Sequence, residues 1–118
     1  MAHILLVDIG SARFGFPETD LLEDHVLDCY DHFPSPLPPT RYDAAIVEPF
    51  GIDNFRECYD ELQRLHVPLI ISSTLTRREI ESRFSLVAGV DYVAFCYKPY
   101  TVAKVLFPAL ERALSEQK

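Results

Sequence analysis

The chain has 118 residues and a formal net charge of −7; 48% of its residues are hydrophobic, among them eight Phe and six Tyr. That length fits one domain spanning 1–118 with an ordinary core. The acidic balance excludes non-specific nucleic-acid binding, which needs Lys and Arg against phosphates, and no apolar run approaches the roughly 20 residues of a membrane span. Met1-Ala2-His3 leads directly into a strand-like run without a basic start or cleavage site, so a cytoplasmic location is expected. Cys29, Cys58 and Cys96 show no metal-ligand spacing and read as reduced thiols of such a compartment.

In chain order, continuous apolar runs bounded by polar residues predict strands covered on both faces at His3 to Val7, Val26 to Tyr30, Ala44 to Val47, Leu69 to Ser72 and Tyr92 to Cys96. Helical periodicity falls between them. Between Ser11 and His25 only Leu21 and Leu22 form an apolar pair, which predicts a short first helix. Phe33 to Pro39 carries four prolines; they remove backbone donors and clash in helix interiors, so a rigid loop is expected in place of a second helix.

Phe55, Cys58, Tyr59, Leu62 and Leu65 share one face of a helix predicted over Asp53 to His66. Ile80, Phe84, Val87 and Ala88 share another, opened by Thr76 as cap with Glu79 three residues on. Val102, Val105, Leu106, Ala109, Leu110, Ala113 and Leu114 give the last helix a wide apolar stripe, with a kink expected at Pro108. The alternation predicts an α/β domain: a doubly wound, parallel five-stranded sheet in a three-layer sandwich.

Four strands end in polar groups: Asp8, Glu48, Ser73 and Lys98. In such sheets ligands and anions gather at that rim. Asp8 ending the first strand, Asp43 to Glu48 as the third, Val67-Pro68 introducing the fourth, and Lys98-Pro99-Tyr100 after the fifth resemble the receiver (CheY-like) domain of two-component response regulators, of flavodoxin-like (βα)5 fold. The resemblance places Glu48 at the phosphoacceptor aspartate, Ser73 at the conserved hydroxyl, Phe95 at the switching aromatic, and Lys98 and Pro99 at the lysine-proline pair.

The pattern departs from the family at two points. The second acid of the acidic pair, a principal magnesium ligand there, is Ile9, which offers no oxygen. Glu48 is one methylene longer than the usual nucleophile, displacing its carboxylate by about 1 Å, enough to spoil in-line attack. The expectation is an atypical, stand-alone pseudo-receiver without magnesium, other cofactor or enzymatic activity. In it Glu48 makes a charge-assisted bond to Lys98 beside Ser73, or plugs a dead pocket as a structural ion pair.

Such a domain acts by protein–protein contacts, with a histidine kinase or downstream effector or with a second copy, and with neither nucleic acid nor membrane. The candidate surface holds the helix from Thr76, Tyr97, Tyr100 and Phe107.

Three other readings exist. One is an active receiver phosphorylated on an acidic residue. Another is a nucleotide-binding, kinase-like fragment, because Ile4 to Ser11 is similar to the first phosphate motif of actin-like kinases, which expects a hairpin after it. The last is a thiol nucleophile at Cys96, activated by Lys98 if exposed.

Overall fold

The computed structural model describes residues 2–8, 24–34, 36–37, 41–49, 52, 54–87, 89–98 and 102–115. The segment predicted as the first helix lies almost wholly outside them, as do Ile9, Ala88, Pro99 and Tyr100. Of the proline-rich segment, the described Phe33, Pro34, Pro36 and Leu37 carry neither helix nor strand. Phe33 is buried and Leu37 packs against the core.

Five strands, β1 (His3–Val7), β2 (Val26–Tyr30), β3 (Ala44–Val47), β4 (Leu69–Ser73) and β5 (Ala94–Tyr97), form one parallel sheet in the order β2-β1-β3-β4-β5. The expected β5 started at Tyr92. Instead Gly89 donates to the Tyr92 carbonyl at 3.1 Å, so that stretch belongs to the turn, and Val93 joins the sheet by bonding Leu69 O at 2.8 Å.

The pleat sorts the core into two layers, because alternate strand residues face opposite sides. Leu5, Val7, Ala45, Val47 and Ile71 face α1 (Phe55–Arg64) and α2 (Arg77–Phe84), meeting Phe55, Cys58, Tyr59, Leu62 and Ile80. Ile4, Leu6, Ala44, Ile46 and Ile70 face α3 (Phe107–Ser115), meeting Leu106, Ala109, Leu110 and Ala113. Each fully buried Leu or Ile contributes about 1.5–3 kcal/mol. The result is the expected three-layer sandwich.

Local chemistry sets the helix ends. Thr76 and Glu79 form the expected capping box: Glu79 N donates to Thr76 Oγ1 at 3.2 Å and Thr76 N to Glu79 Oε1 at 3.1 Å. Ser85 closes α2 in the left-handed region (φ 56°). α1 stops earlier than expected, because His66 turns left-handed (φ 57°) and Pro68 follows. The last helix begins as a π-helical turn, Val102–Leu106, and becomes α-helical at Phe107. Pro108 has no N–H for the carbonyl four residues back, so it coincides with this change of hydrogen-bond register. Among the described residues, no helix is long and apolar enough to cross a membrane.

Candidate functional site at the C-terminal rim of the sheet

Parallel pairing brings the C-terminal ends of all strands to one rim. Glu48 N bonds Val7 O at 2.9 Å and Lys98 N bonds Ser73 O at 2.7 Å, so β1, β3, β4 and β5 finish side by side. Among the described residues, the buried polar or charged ones are Asp8, Glu48, Ser72 and Ser73, all at this rim. Polar groups are expensive to bury, so their concentration here marks a built site.

Lys98 Nζ donates to Asp8 Oδ2, although β3 and β4 stand between their strands. The Asp8 side chain is 2% exposed and that of Lys98 19%. Two charges removed from water hold together only through close mutual contact. Lys98 therefore bonds Asp8 and not, as expected, Glu48.

Glu48 turns its carboxyl inward. Oε1 accepts the Thr74 N–H at 3.3 Å. Oε2 is buried and meets no hydrogen-bond partner among the described residues. Burial pushes its pKa above the ordinary 4.5; the Ser73 hydroxyl, the Lys98 charge and the Thr74 N–H pull the other way, and the Asp8 charge adds to the rise. Ser73, fully buried, accepts the Leu75 N–H on Oγ at 3.0 Å. Glu48 and Ser73 thus each hold one backbone amide of the turn joining β4 to α2.

Phe95 is half-buried against the α1/α2 side of the core, and Arg77 at the start of α2 lies 5.7 Å over its ring and 6.0 Å over that of Tyr92. The Tyr92 hydroxyl donates to Glu81 Oε2 at 3.2 Å. Of the candidate contact residues, Tyr97 is exposed, whereas Phe107 packs partly into the α3 core layer.

Thr74 and Arg77 were missed from sequence. A backbone donor leaves no sequence signal, and an arginine in a helix's first turn reads as a solvated charge. A second polar group, also unforeseen, sits at the start of β1: the Tyr42 hydroxyl donates to Asp28 Oδ2 at 2.7 Å, and His3 Nε2 lies 2.9 Å from the same oxygen.

Two other readings fail on geometry. Among the described residues the strand that follows β1 is β2, which pairs with it in parallel, so these two strands do not form the hairpin that a kinase-like phosphate motif needs. Cys96 is fully buried in the α3 core layer, and desolvation pushes its thiol up to about 11, the reverse of an activated nucleophile.

No family model and no curated protein sequence matches the chain. Solved structures do. A two-component response regulator from Clostridium difficile superposes with a TM-score of 0.76 at 14% identity, covering 100% of this chain and 99% of that one. A CheY-like receiver domain protein from Methanospirillum hungatei JF-1 gives 0.76 at 18% identity, covering 99% and 96%. The response regulator TrrA from Thermotoga maritima, solved with Mg2+-BeF, gives 0.72 at 18% identity, covering 97% and 100%. The chain has the flavodoxin-like fold of CheY-like response-regulator receiver domains.

Proposed function

We propose that this is an atypical receiver domain that works in two-component-type signalling through cytoplasmic protein contacts, without phosphotransfer and without catalysing a reaction of its own. The observation that carries this reading is the state of the rim. The lysine is bonded to Asp8, and the side chain at the phosphoacceptor position is a glutamate already bonded to the backbone N–H of Thr74. Glu48 Oε1 thereby makes a contact of the kind a phosphoryl oxygen would make, and the β4–α2 turn is held without a phosphodonor.

Magnesium does not fit this donor set. Among the described residues, no group of three or more His, Cys, Asp or Glu could hold a metal ion. One of the two rim carboxylates is bonded to Lys98, and Ile9 supplies no oxygen to a cation that demands six. Output then passes through the face made by α2, β5 and the helix after it, where Tyr97 and Val105 are exposed. A histidine kinase, a downstream effector or a second copy of this domain would dock there.

The test is intact-mass spectrometry after incubation with acetyl phosphate and magnesium. Wild type gains no phosphoryl mass. An adduct that forms on wild type and disappears in Glu48→Ala overturns the reading and makes the domain an active switch phosphorylated on an acidic residue.

A further inference from the structure

We infer that Arg77 is the positioning residue for the Phe95 ring: the aromatic at the switch position is held from α2 by a guanidinium, and not from the end of β4 by the Ser73 hydroxyl. The inference rests on the receiver-type reading and names what fixes the state of its output face.

Two side chains of α2 grip the aromatic pair before and on β5. The Arg77 guanidinium lies 5.7 Å from the centre of the Phe95 ring and 6.0 Å from that of Tyr92. The rings themselves stand 6.4 Å apart with 59° between their planes. One cation therefore rests on both rings, within the roughly 6 Å over which the negative face of a ring attracts it. Glu81, four residues on and the natural helical partner of an arginine, uses its Oε2 for the Tyr92 hydroxyl at 3.2 Å. Arg77 thus covers both rings from the first turn of α2, and Glu81 holds the far end of Tyr92 from the next.

The hydroxyl at the end of β4 is committed elsewhere. Ser73 Oγ accepts the Leu75 N–H at 3.0 Å, and the hydroxyl shares a hydrogen bond with the Glu48 carboxyl. Its capacity is spent on the rim and the turn that follows. In the sheet register Ser73 stands opposite Tyr97, whereas Phe95 stands opposite Ile71. The Phe95 ring is half-buried against the core layer that α1 and α2 cover.

α2 is itself anchored independently of that hydroxyl. Thr76 caps it, Ile80 is buried beneath it, and Arg56 donates to the Phe84 carbonyl at its far end at 2.9 Å. Two devices therefore share the site without depending on each other. Glu48 and Ser73 fix the turn, Arg77 fixes the aromatic, and α2 and β5 present one joined face to a partner.

The experiment is fluorine NMR of the full chain labelled with para-fluorophenylalanine, without phosphodonor. The Phe95 signal is assigned by its loss in Phe95→Leu, and its exposure is read from the change in shift between light and heavy water. Arg77→Gln moves the Phe95 signal toward that of the free amino acid and increases its solvent response. Arg77→Lys, which keeps a cation near the rings, stays closer to wild type. Arg78→Gln, at an equally exposed neighbour, and Ser73→Ala leave the signal in place.

The inference is overturned if Arg77→Gln leaves the Phe95 signal and its solvent response unchanged, or if Arg77→Lys behaves like Arg77→Gln. It is equally overturned if Ser73→Ala or Arg78→Gln moves the ring as far as Arg77→Gln does. Should Ser73→Ala fail to fold, Ser73→Cys, close to serine in size, takes its place. None of these outcomes depends on phosphotransfer: a phosphoryl adduct on wild type would sink the proposed function and leave the Arg77 result standing.

Discussion

Lys98 reaches from the edge strand to Asp8 across the ends of β3 and β4, and so ties together the first and last strands of the sheet other than β2. The cost of breaking that tie follows from burial. Lys98→Met leaves the Asp8 carboxylate, 1% exposed, without its ammonium. Removing one partner of a buried pair costs about 3–5 kcal/mol, and the partial exposure of Lys98 places this case near the lower bound. Urea unfolding at neutral pH measures it, and a loss under about 1 kcal/mol would show that the pair is solvent-screened like a surface bridge.

Glu48 has a defined stability signature against pH. Its folded-state pKa is raised, by burial first, above the 4.5 of an exposed glutamate. The protonated form therefore belongs to the folded protein. Its contribution is fully present below 4.5 and is lost as pH rises through the raised value. Glu48→Gln, which cannot ionise, matches wild type in acid and gains on it toward alkaline pH. Melting curves of both proteins over that range check the sign; parallel curves would mean that Glu48 ionises freely in the fold.

The start of α2 carries two separable supports. Thr76→Ala removes the capping box and costs about 1 kcal/mol. Arg77→Ala removes the cation over Phe95 and Tyr92 and costs about 0.5–1 kcal/mol, since the guanidinium is exposed. Hydrogen exchange separates them: Thr76→Ala frays the first turn of α2, whereas Arg77→Ala also speeds exchange along β5.

The cysteines differ in accessibility. Desolvation pushes the Cys58 thiol up to about 12 and that of Cys96 up to about 11, and both are fully buried. Cys29 is half-buried on β2. A disulfide reagent added to native protein labels Cys29 first, with Cys58 and Cys96 reacting only on unfolding. Rapid native labelling of Cys96 would restore the thiol-nucleophile reading.

The central strands were legible because burial on both faces writes itself as an unbroken apolar run, and β1 and β3 begin and end where that pattern does; β2, expected to be covered on both faces, has the expected bounds but is a half-buried edge strand. The register of local chemistry was less legible. Tyr92 looks like strand but closes the turn from Gly89, and the π-helical turn before Phe107 has no periodicity of its own.

At the site, the rim assembly of Asp8, Glu48, Ser73 and Lys98 follows from strand order alone. Which carboxylate takes the lysine does not, because two acids at one rim differ by side-chain reach and burial, and neither is written in a motif. Asp28 was hidden for a related reason. It sits inside an otherwise apolar run, and its partners His3 and Tyr42 are distant in sequence.

The partners in the Asp8–Lys98 bond lie 90 positions apart along the chain. Closing so long a loop has an entropic cost that only a completed sheet can offset. This bond therefore forms after the strands between its ends have docked, and a chain still lacking β5 during synthesis carries Asp8 with no lysine to meet it. Contacts made after the folding barrier slow the way out more than they speed the way in. The bond accordingly acts as a clasp on a finished domain, lengthening the lifetime of the native state while leaving the rate of reaching it nearly unchanged.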